Sequence, residues 1–314
     1  MDNNSLITII GFGSQAKAWA MNLRDSGRSL QIALRNNSPS LKIAQKMGLT
    51  TVDLAEEQTD SQIFILLTPD HTHIDILNQL KETISAGAMF IYAHGFSYHK
   101  ENFKTAFAQW NHCLLAPKAI ASEVRFQYET QGKLGAVYSV EDLSSPADKE
   151  LSRTYLLALA KDLGITGGPY EGSFAEETIA DLFSEQSILC SILPYTAYMS
   201  FTKLIEKGVK EEIAYMECWL EVKLIADAMV KMGPHKFFEL ISPNALIGGE
   251  KGRKILLDAG YEKKLDQLLE DICDKKFYAE VDHTDFAKIK DQTLTFWKGT
   301  QLSNVHERIA KDLL

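Results

Sequence analysis

Asp181 with Glu185, and Glu217 with Glu221, are two acid pairs set in strongly apolar sequence. The stretches that carry them, residues 178–190 and 213–225, both read as helix, and a spacing of four puts each pair on one helical face. Like charges so placed repel, and burying a carboxylate without a partner is costly. A positive group between the pairs relieves both problems. Hard divalent cations such as Mg²⁺ take carboxylate oxygens and water, so a one- or two-metal site is one reading. The other is a solvated helix face, where glutamates four apart are common and Lys223 lies close to the second pair.

A second set of candidates follows apolar runs that read as strands. Gly11-Phe12-Gly13-Ser14-Gln15-Ala16 follows Leu6–Ile10 and opens a helical pattern. A glycine-rich turn there brings a pyrophosphate onto backbone N–H groups, which makes Gly11, Gly13, Ser14 and Gln15 cofactor-binding candidates. Where NAD enzymes place an acid after the second strand, this chain has Arg35, then Asn36-Asn37-Ser38-Pro39-Ser40. A guanidinium with the Ser38 and Ser40 hydroxyls suits a 2′-phosphate and favours NADP(H). An ordinary turn capping the next helix through Ser38 or Ser40 is compatible with the same residues. Thr68-Pro69-Asp70, His94-Gly95-Phe96 and Ala116-Pro117-Lys118 end the next strands. Ligands of open parallel sheets bind beyond the carboxyl ends of strands, so these loops are expected to face the cofactor, with Pro69, Asp70 and Gly95 as binding candidates and His94 and Lys118 as further site candidates. Taken singly, His94 could be structural and Lys118 a surface charge.

These residues need a scaffold, and the pattern supplies one. Up to about residue 170, strands at Leu6–Ile10, Leu30–Leu34, Ile63–Leu67, Met89–Tyr92, Cys113–Ala116, Ala136–Val140 and Ile165–Thr166 alternate with helical stretches. That predicts an α/β fold with a doubly wound, Rossmann-like parallel sheet. After the break at Gly167-Gly168-Pro169 the strand signals vanish, and helical patterns cover 174–206, 210–232, 246–258, 261–273, 283–296 and 302–313. The expected domains are 1–173, cofactor-binding, and 174–314, all-helical. The very apolar stretch 187–201 is expected to be buried on all sides, against a second subunit if not within the chain.

With 314 residues, 45% of them hydrophobic and 24% charged, the chain is long enough for two such domains. A net charge of −9 without a basic cluster argues against nucleic acid as a partner. No uninterrupted apolar run reaches the roughly 18 to 20 residues of a membrane span, and Leu6–Ile10 lacks the basic flank of a signal peptide. Cys113, Cys190, Cys218 and Cys273 have no paired spacing; three lie in apolar runs and read as buried thiols, which fits a cytoplasmic location and no zinc site.

The residues together resemble the ketol-acid reductoisomerases, in their short (class I) form, over essentially the whole chain. The likeness rests on Gly11-Phe12-Gly13-Ser14-Gln15, Asn22-Leu23-Arg24-Asp25-Ser26-Gly27, His94-Gly95-Phe96 and Ala116-Pro117-Lys118. It rests most on Glu176-Glu177-Thr178 with Asp181-Leu182-Phe183-Ser184-Glu185-Gln186, and on Ala214 to Ile225; Ile241-Ser242 and His306-Glu307 add to it. The resemblance implies an NADPH-binding sheet domain and a knotted helical domain. It implies a Mg²⁺-dependent alkyl migration on a 2-acetohydroxy acid such as 2-acetolactate, then reduction by NADPH to a 2,3-dihydroxy acid, as in branched-chain amino acid biosynthesis. Asp181 and Glu185 would hold Mg²⁺ in one subunit, and Glu217 and Glu221 would come from the partner of an interwound homodimer, itself open to larger assemblies. Ser242 would touch the substrate carboxylate, His94 and Lys118 would line the site, and Arg35, Ser38 and Ser40 would grip the cofactor phosphate.

Three departures stand out. The family's Gly-Pro-Gly-His after the lysine is Ala119-Ile120-Ala121-Ser122, its Ser-Asn-Thr is Ser242-Pro243-Asn244, and its Gly-His-Ala-His is Ala16-Lys17-Ala18-Trp19. They imply altered walls around retained metal and cofactor chemistry. A divergent relative that only reduces a different 2-keto acid, or a non-catalytic NADPH-binding protein, therefore stands as an alternative.

Overall fold

A computed structural model describes residues 5–140 and 145–313. The chain divides into two compact units, the first ending at Thr178 and the second beginning at Ile179.

The first unit is built on one sheet. Its strands are β1 (Ile7–Ile10), β2 (Leu30–Ala33), β3 (Thr50–Val52), β4 (Ile63–Leu66), β5 (Met89–Tyr92), β6 (Asn111–Pro117), β7 (Gly135–Ser139) and β8 (Gly167–Glu171), in the order β3-β2-β1-β4-β5-β6-β7-β8. Its helices are α1 (Ser14–Asp25), α2 (Leu41–Lys46), α3 (His73–Leu80), α4 (Phe96–Glu101), α5 (Phe103–Ala106), α6 (Ala121–Glu129) and α7 (Pro146–Asp162). Strand side chains alternate between two cores. Ile7, Ile9, Ile63 and Ile65 face one with Trp19 and Leu23, while Ile10, Phe64, Leu66 and Phe90 face the other with Trp110 and Phe103. Apolar on both faces, the strands read as near-continuous hydrophobic runs, as buried parallel strands do.

The sheet departs from the sequence reading at its edges. β7 pairs antiparallel with β6, and β8 runs parallel to β7, so the sheet is parallel-dominated and not wholly parallel. The link through α6 acts as a wide hairpin whose base closes where the Lys118 N–H donates to the Gly135 carbonyl (2.9 Å). Strand-helix alternation cannot distinguish that link from a crossover. β3 is too short and too exposed to leave an apolar run. The seventh predicted strand, Ile165–Thr166, is instead β8, Gly167–Glu171, and contains the Gly-Gly-Pro read as a break. Proline is tolerated there because an edge strand can spare a ladder donor.

The second unit is helical. α8 (Phe174–Ser184) leads into it through a π-turn, Glu185–Leu189, and α9 (Ile192–Glu206). α10 (Glu211–Tyr215), a second π-turn at Met216–Leu220 and α11 (Glu221–Met232) follow, then α12 (Pro234–Leu240), α13 (Pro243–Leu256), α14 (Ala259–Cys273), α15 (Lys276–His283), α16 (Phe286–Lys298) and α17 (Gln301–Leu313). α12 and α15 leave no distinct sequence signal. Phe201, Ala214, Tyr215, Leu302 and Val305 form this unit's small core.

Two burial expectations fail within one chain. Ile188, Leu189 and Met199 of the 187–201 stretch are exposed, and of the cysteines only Cys113 is buried. The continuous helical run Phe174–Glu206 is also long and apolar enough on average for a membrane span, although no uninterrupted apolar run of that length exists. Helix length and mean hydropathy alone do not separate a span from a protein-contact helix, and this one carries Glu176, Glu177, Asp181 and Glu185 in its first half.

Candidate active site

The hub of the first unit is a residue that spacing did not single out. Ser173 and Glu176 cap α8 reciprocally: the Glu176 N–H donates to Ser173 Oγ and the Ser173 N–H to Glu176 Oε2, both at 2.9 Å. Capping fixes the first turn and points the next acid, Glu177, inward, where its side chain is 1% exposed. Three donors meet its carboxylate. His94 Nδ1 lies 3.1–3.2 Å from its two oxygens, Lys118 Nζ donates to Oε1 at 2.6 Å, and the Gly95 N–H donates to Oε2 at 2.7 Å.

These donors come from the ends of β5 and β6, where the strand-end rule puts His94 and Lys118; their meeting point on Glu177 is what that rule does not give. Burial by itself raises the Glu177 pKa, yet the His94 hydrogen bond and charge, with the Lys118 charge, outweigh it and hold the carboxyl below its usual range. The carboxylate can only accept, so a neutral His94 carries its proton on Nδ1 and presents Nε2 as an acceptor. Gly95 owes its identity to α8. A Cβ there would stand 2.6 Å from the Phe174 carbonyl and from Thr178 Oγ1, so the close approach of the helix requires glycine.

Beyond the ends of β1 to β4 lies a cavity of about 440 Å³. Gly11, Gly13, Arg35, Ser38, Ser40 and Pro69 line it, as does Asp53, while Ser14, Gln15 and Asp70 do not. Gly11 has φ +98, and a Cβ on it would meet Thr68 Cγ2 at 2.7 Å and the Leu67 carbonyl at 2.9 Å. Gly13 has ordinary dihedrals, and a Cβ there would enter open space. Its glycine is explained by a ligand that comes close to the backbone, and the cavity therefore fits a dinucleotide.

The loop after β2 is held by its own hydrogen bonds. Asp53 accepts the Asn36 N–H (2.9 Å) and Ser38 Oγ the Ser40 N–H (3.3 Å). Ser40 occupies the N-cap of α2 but makes no side-chain cap bond, so capping does not account for its hydroxyl. Gln15 reaches away from the cavity: Nε2 donates to the Ala119 carbonyl (3.1 Å), and its buried Oε1 has no hydrogen-bond partner among the described residues. Asp70 opens a short 3-10 turn instead of lining the wall.

In the second unit, Asp181 lies one turn beyond Glu177 along α8. Glu185 opens the first π-turn, Glu217 lies within the second, and Glu221 opens α11. π-turns are rare and concentrate at functional sites, because the extra residue re-aims the side chains around it. Glu185, Glu217 and Glu221 are exposed and Asp181 half-buried; as oxygen donors they suit a hard divalent cation. Ser242 is the N-cap of α13, with Oγ accepting the Ala245 N–H (3.3 Å). Pro243 stands at the first helical position, where no N–H is needed, so this departure costs no hydrogen bond.

The other departures are also accommodated. Ala16 and Trp19 are fully buried under the sheet, which makes them a core replacement and not a wall of the site. Ala119 and Ala121 pack on the same core, while Ile120, 75% exposed, and Ser122 stand out after Lys118. His306 accounts for itself structurally, its Nδ1 2.7 Å from the hydroxyl of Tyr215.

Residues 2–168 match the acetohydroxy acid isomeroreductase NADPH-binding domain, and residues 174–313 match the ketol-acid reductoisomerase C-terminal domain. The chain belongs to the ketol-acid reductoisomerase family. It is an NADP-dependent oxidoreductase with that family's activity and its reliance on Mg²⁺. A solved NADH-preferring ketol-acid reductoisomerase from an uncultured archean is 27% identical, with a TM-score of 0.82 over 98% of this chain and 94% of that one. Two more distant structures share the fold alone. A semialdehyde dehydrogenase NAD-binding protein from Cupriavidus necator is 16% identical, TM-score 0.65, over 86% of this chain and 98% of its own. A 1-pyrroline-5-carboxylate reductase from Streptococcus pyogenes is also 16% identical, TM-score 0.55, over the same shares.

Proposed function

We propose that this ketol-acid reductoisomerase acts on 2-acetolactate or a close 2-acetohydroxy acid, with Glu177, His94 and Lys118 as the polar cluster at the reacting end. The meeting of His94 and Lys118 on one buried carboxylate carries the reading, because a surface lysine and a structural histidine have no need to share it. When bound, Mg²⁺ supplies Lewis-acid polarisation of the substrate carbonyl and alkoxide, and NADPH supplies the hydride.

The remaining roles belong to the chain. Asp181 and Glu185 are the Mg²⁺ ligands of one subunit, and Glu217 and Glu221 those of its partner. Glu177 fixes His94 so that Nε2 can accept or return a proton of the substrate hydroxyl, and keeps the Lys118 ammonium in place as a fixed positive charge. Ser242 accepts a backbone N–H and retains its own hydroxyl proton to donate to the substrate carboxylate. Arg35, Ser38 and Ser40 take the 2′-phosphate, which favours NADPH, in contrast with the NADH preference of the archean relative.

A homodimer is the proposed assembly. Met199, Val230, Phe238, Leu240, Ile247 and Leu256 of the helical unit stand 58–85% exposed in the single chain, far more apolar surface than a stable monomer leaves bare. The same demand accounts for the apolar helix Phe174–Glu206 without a membrane. The cytoplasm is the proposed compartment, supported by four unpaired cysteines.

The deciding experiment follows NADPH oxidation by the purified protein with 2-acetolactate and Mg²⁺, the corresponding 2-keto acid being offered in parallel. Turnover of both is expected. Reduction of the keto acid alone would replace the proposal by a reductase that has lost isomerisation, and no turnover of either, with NADPH still bound, would end the acetolactate reading.

A further inference from the structure

His73 lies outside the cluster around Glu177 and outside the cavity lining, yet both of its ring nitrogens are committed. Nε2 lies 2.9 Å from the Thr68 carbonyl oxygen and Nδ1 2.6 Å from Ser97 Oγ, and the ring is buried. A carbonyl only accepts, so Nε2 carries the proton and the neutral Nδ1 accepts the Ser97 O–H. Burial pulls the imidazole pKa down against the pull of Asp70, whose Oδ1 is 3.9 Å from Nδ1. His71 and His94 are the other titratable groups that act on it.

What the ring joins gives it meaning. On one side is Thr68, which lines the cofactor cavity and stands against the Gly11 turn, 2.7 Å from where a Cβ on that glycine would be. The Thr72 hydroxyl donates on the same wall, to the Pro69 carbonyl at 2.7 Å. On the other side is Ser97 in the first turn of α4, directly after His94 and Gly95, which hold Glu177. A chain of contacts therefore runs from the glycine turn through Thr68, His73 and Ser97 to the His94–Gly95 turn, and His73 links the strand ends of β4 and β5 within it.

We propose that His73 is a positioning residue, an uncharged bridge that keeps the Thr68–Pro69 wall of the cofactor cavity in register with the turn that presents His94. It touches neither cofactor nor substrate. Its effect is exerted through backbone placement, where a shift of about 1 Å is enough to cost activity. The proposal rests on that cavity being the NADPH site, which the wild-type measurement below tests separately.

The test uses the full-length protein and titrates NADPH against wild type, His73→Leu, His73→Gln and Ser97→Ala, with thermal melting of each. Leucine leaves the Thr68 carbonyl and the Ser97 hydroxyl unpaired and is expected to weaken NADPH about tenfold. Glutamine can donate with its amide and accept with its carbonyl, and is expected to restore binding to within about twofold of wild type. Ser97→Ala removes one anchor and little volume, with an expected loss of about threefold; it decides the matter if His73→Leu does not fold. NADPH affinity unchanged in both His73→Leu and Ser97→Ala, even with lowered melting temperatures, would reduce His73 to a packing residue and overturn the proposal. A folded His73→Gln no better than His73→Leu would overturn it too. Wild-type protein that binds no NADPH would overturn the cavity assignment along with it.

Discussion

At the scale of single residues, the informative contrast is between Glu176 and Glu177. They are neighbours of the same type, yet one closes a capping box at the surface and the other lies buried under His94, Lys118 and the Gly95 N–H. Glu177→Gln keeps the shape and removes the negative charge that Lys118 and His94 meet. A fall in kcat of at least about a hundredfold is expected, with NADPH affinity changed by less than about threefold, read from steady-state kinetics and cofactor titration. The pH dependence follows from the same contacts. The folded-state pKa of Glu177 lies below that of the free side chain, so its contribution to stability is complete above the unfolded value, about 4.3, and is lost as pH falls through the folded value. Melting temperature measured downward from pH 6 should decline more steeply below about pH 4.3 in wild type than in Glu177→Gln, which has no such carboxylate to protonate. Parallel curves would disprove that account.

At the scale of elements, function is placed where strands and helices end. The loop between β2 and α2 is held by Asp53 on the Asn36 N–H and by Ser38 on the Ser40 N–H. In the proposed 2′-phosphate role, Arg35 on this loop sets the cofactor preference. Arg35→Asp is expected to raise the NADPH Kd by about a hundredfold and the NADH Kd by less than about fivefold. Equal losses for the two cofactors would remove the 2′-phosphate assignment. The π-turns are the other device at this scale: Glu185 and Glu217 both lie in one. A regular α-helix built on the same sequence would aim these acids differently, which is why a spacing of four, read as α-helix, locates the acids without giving their direction.

At the scale of the whole molecule, the helical unit exposes side chains that a monomer would bury. Val230 and Leu256 at 85% and 72% exposure are the extreme cases. Leu256→Glu combined with Ile247→Glu is expected to shift sedimentation from dimer to monomer and to abolish turnover, with NADPH binding by the first unit retained. A dimer that survives both charges would place the interface elsewhere. The proposed sharing of metal ligands between subunits makes a second prediction. Asp181→Asn and Glu217→Gln proteins, each inactive alone, should regain up to about a quarter of wild-type activity when mixed under conditions that exchange subunits. No recovery despite exchange proven by mass spectrometry would confine all four ligands to one chain.

The sequence by itself determined what depends on neighbours along the chain. Apolar runs and glycine turns gave the central strands, the opening turn at Gly11 and the strand-end positions of His94 and Lys118, because period and turn chemistry are local. Family membership was also legible, since long motifs in fixed order survive where structure alone is shared by many enzymes. Tertiary structure decided everything that rests on contacts distant in sequence. It reversed β7, because strand direction is set by the neighbour a strand pairs with, and it moved β8 onto Gly-Gly-Pro, because an edge strand can form without a hydrophobic run of its own. It selected Glu177 over Glu176, since burial under residues 83 and 59 positions away leaves no trace in local spacing. It also turned Trp19 and Pro243 from supposed changes in the site's walls into core packing and a helix start, because only a folded chain shows which side of a residue faces the site.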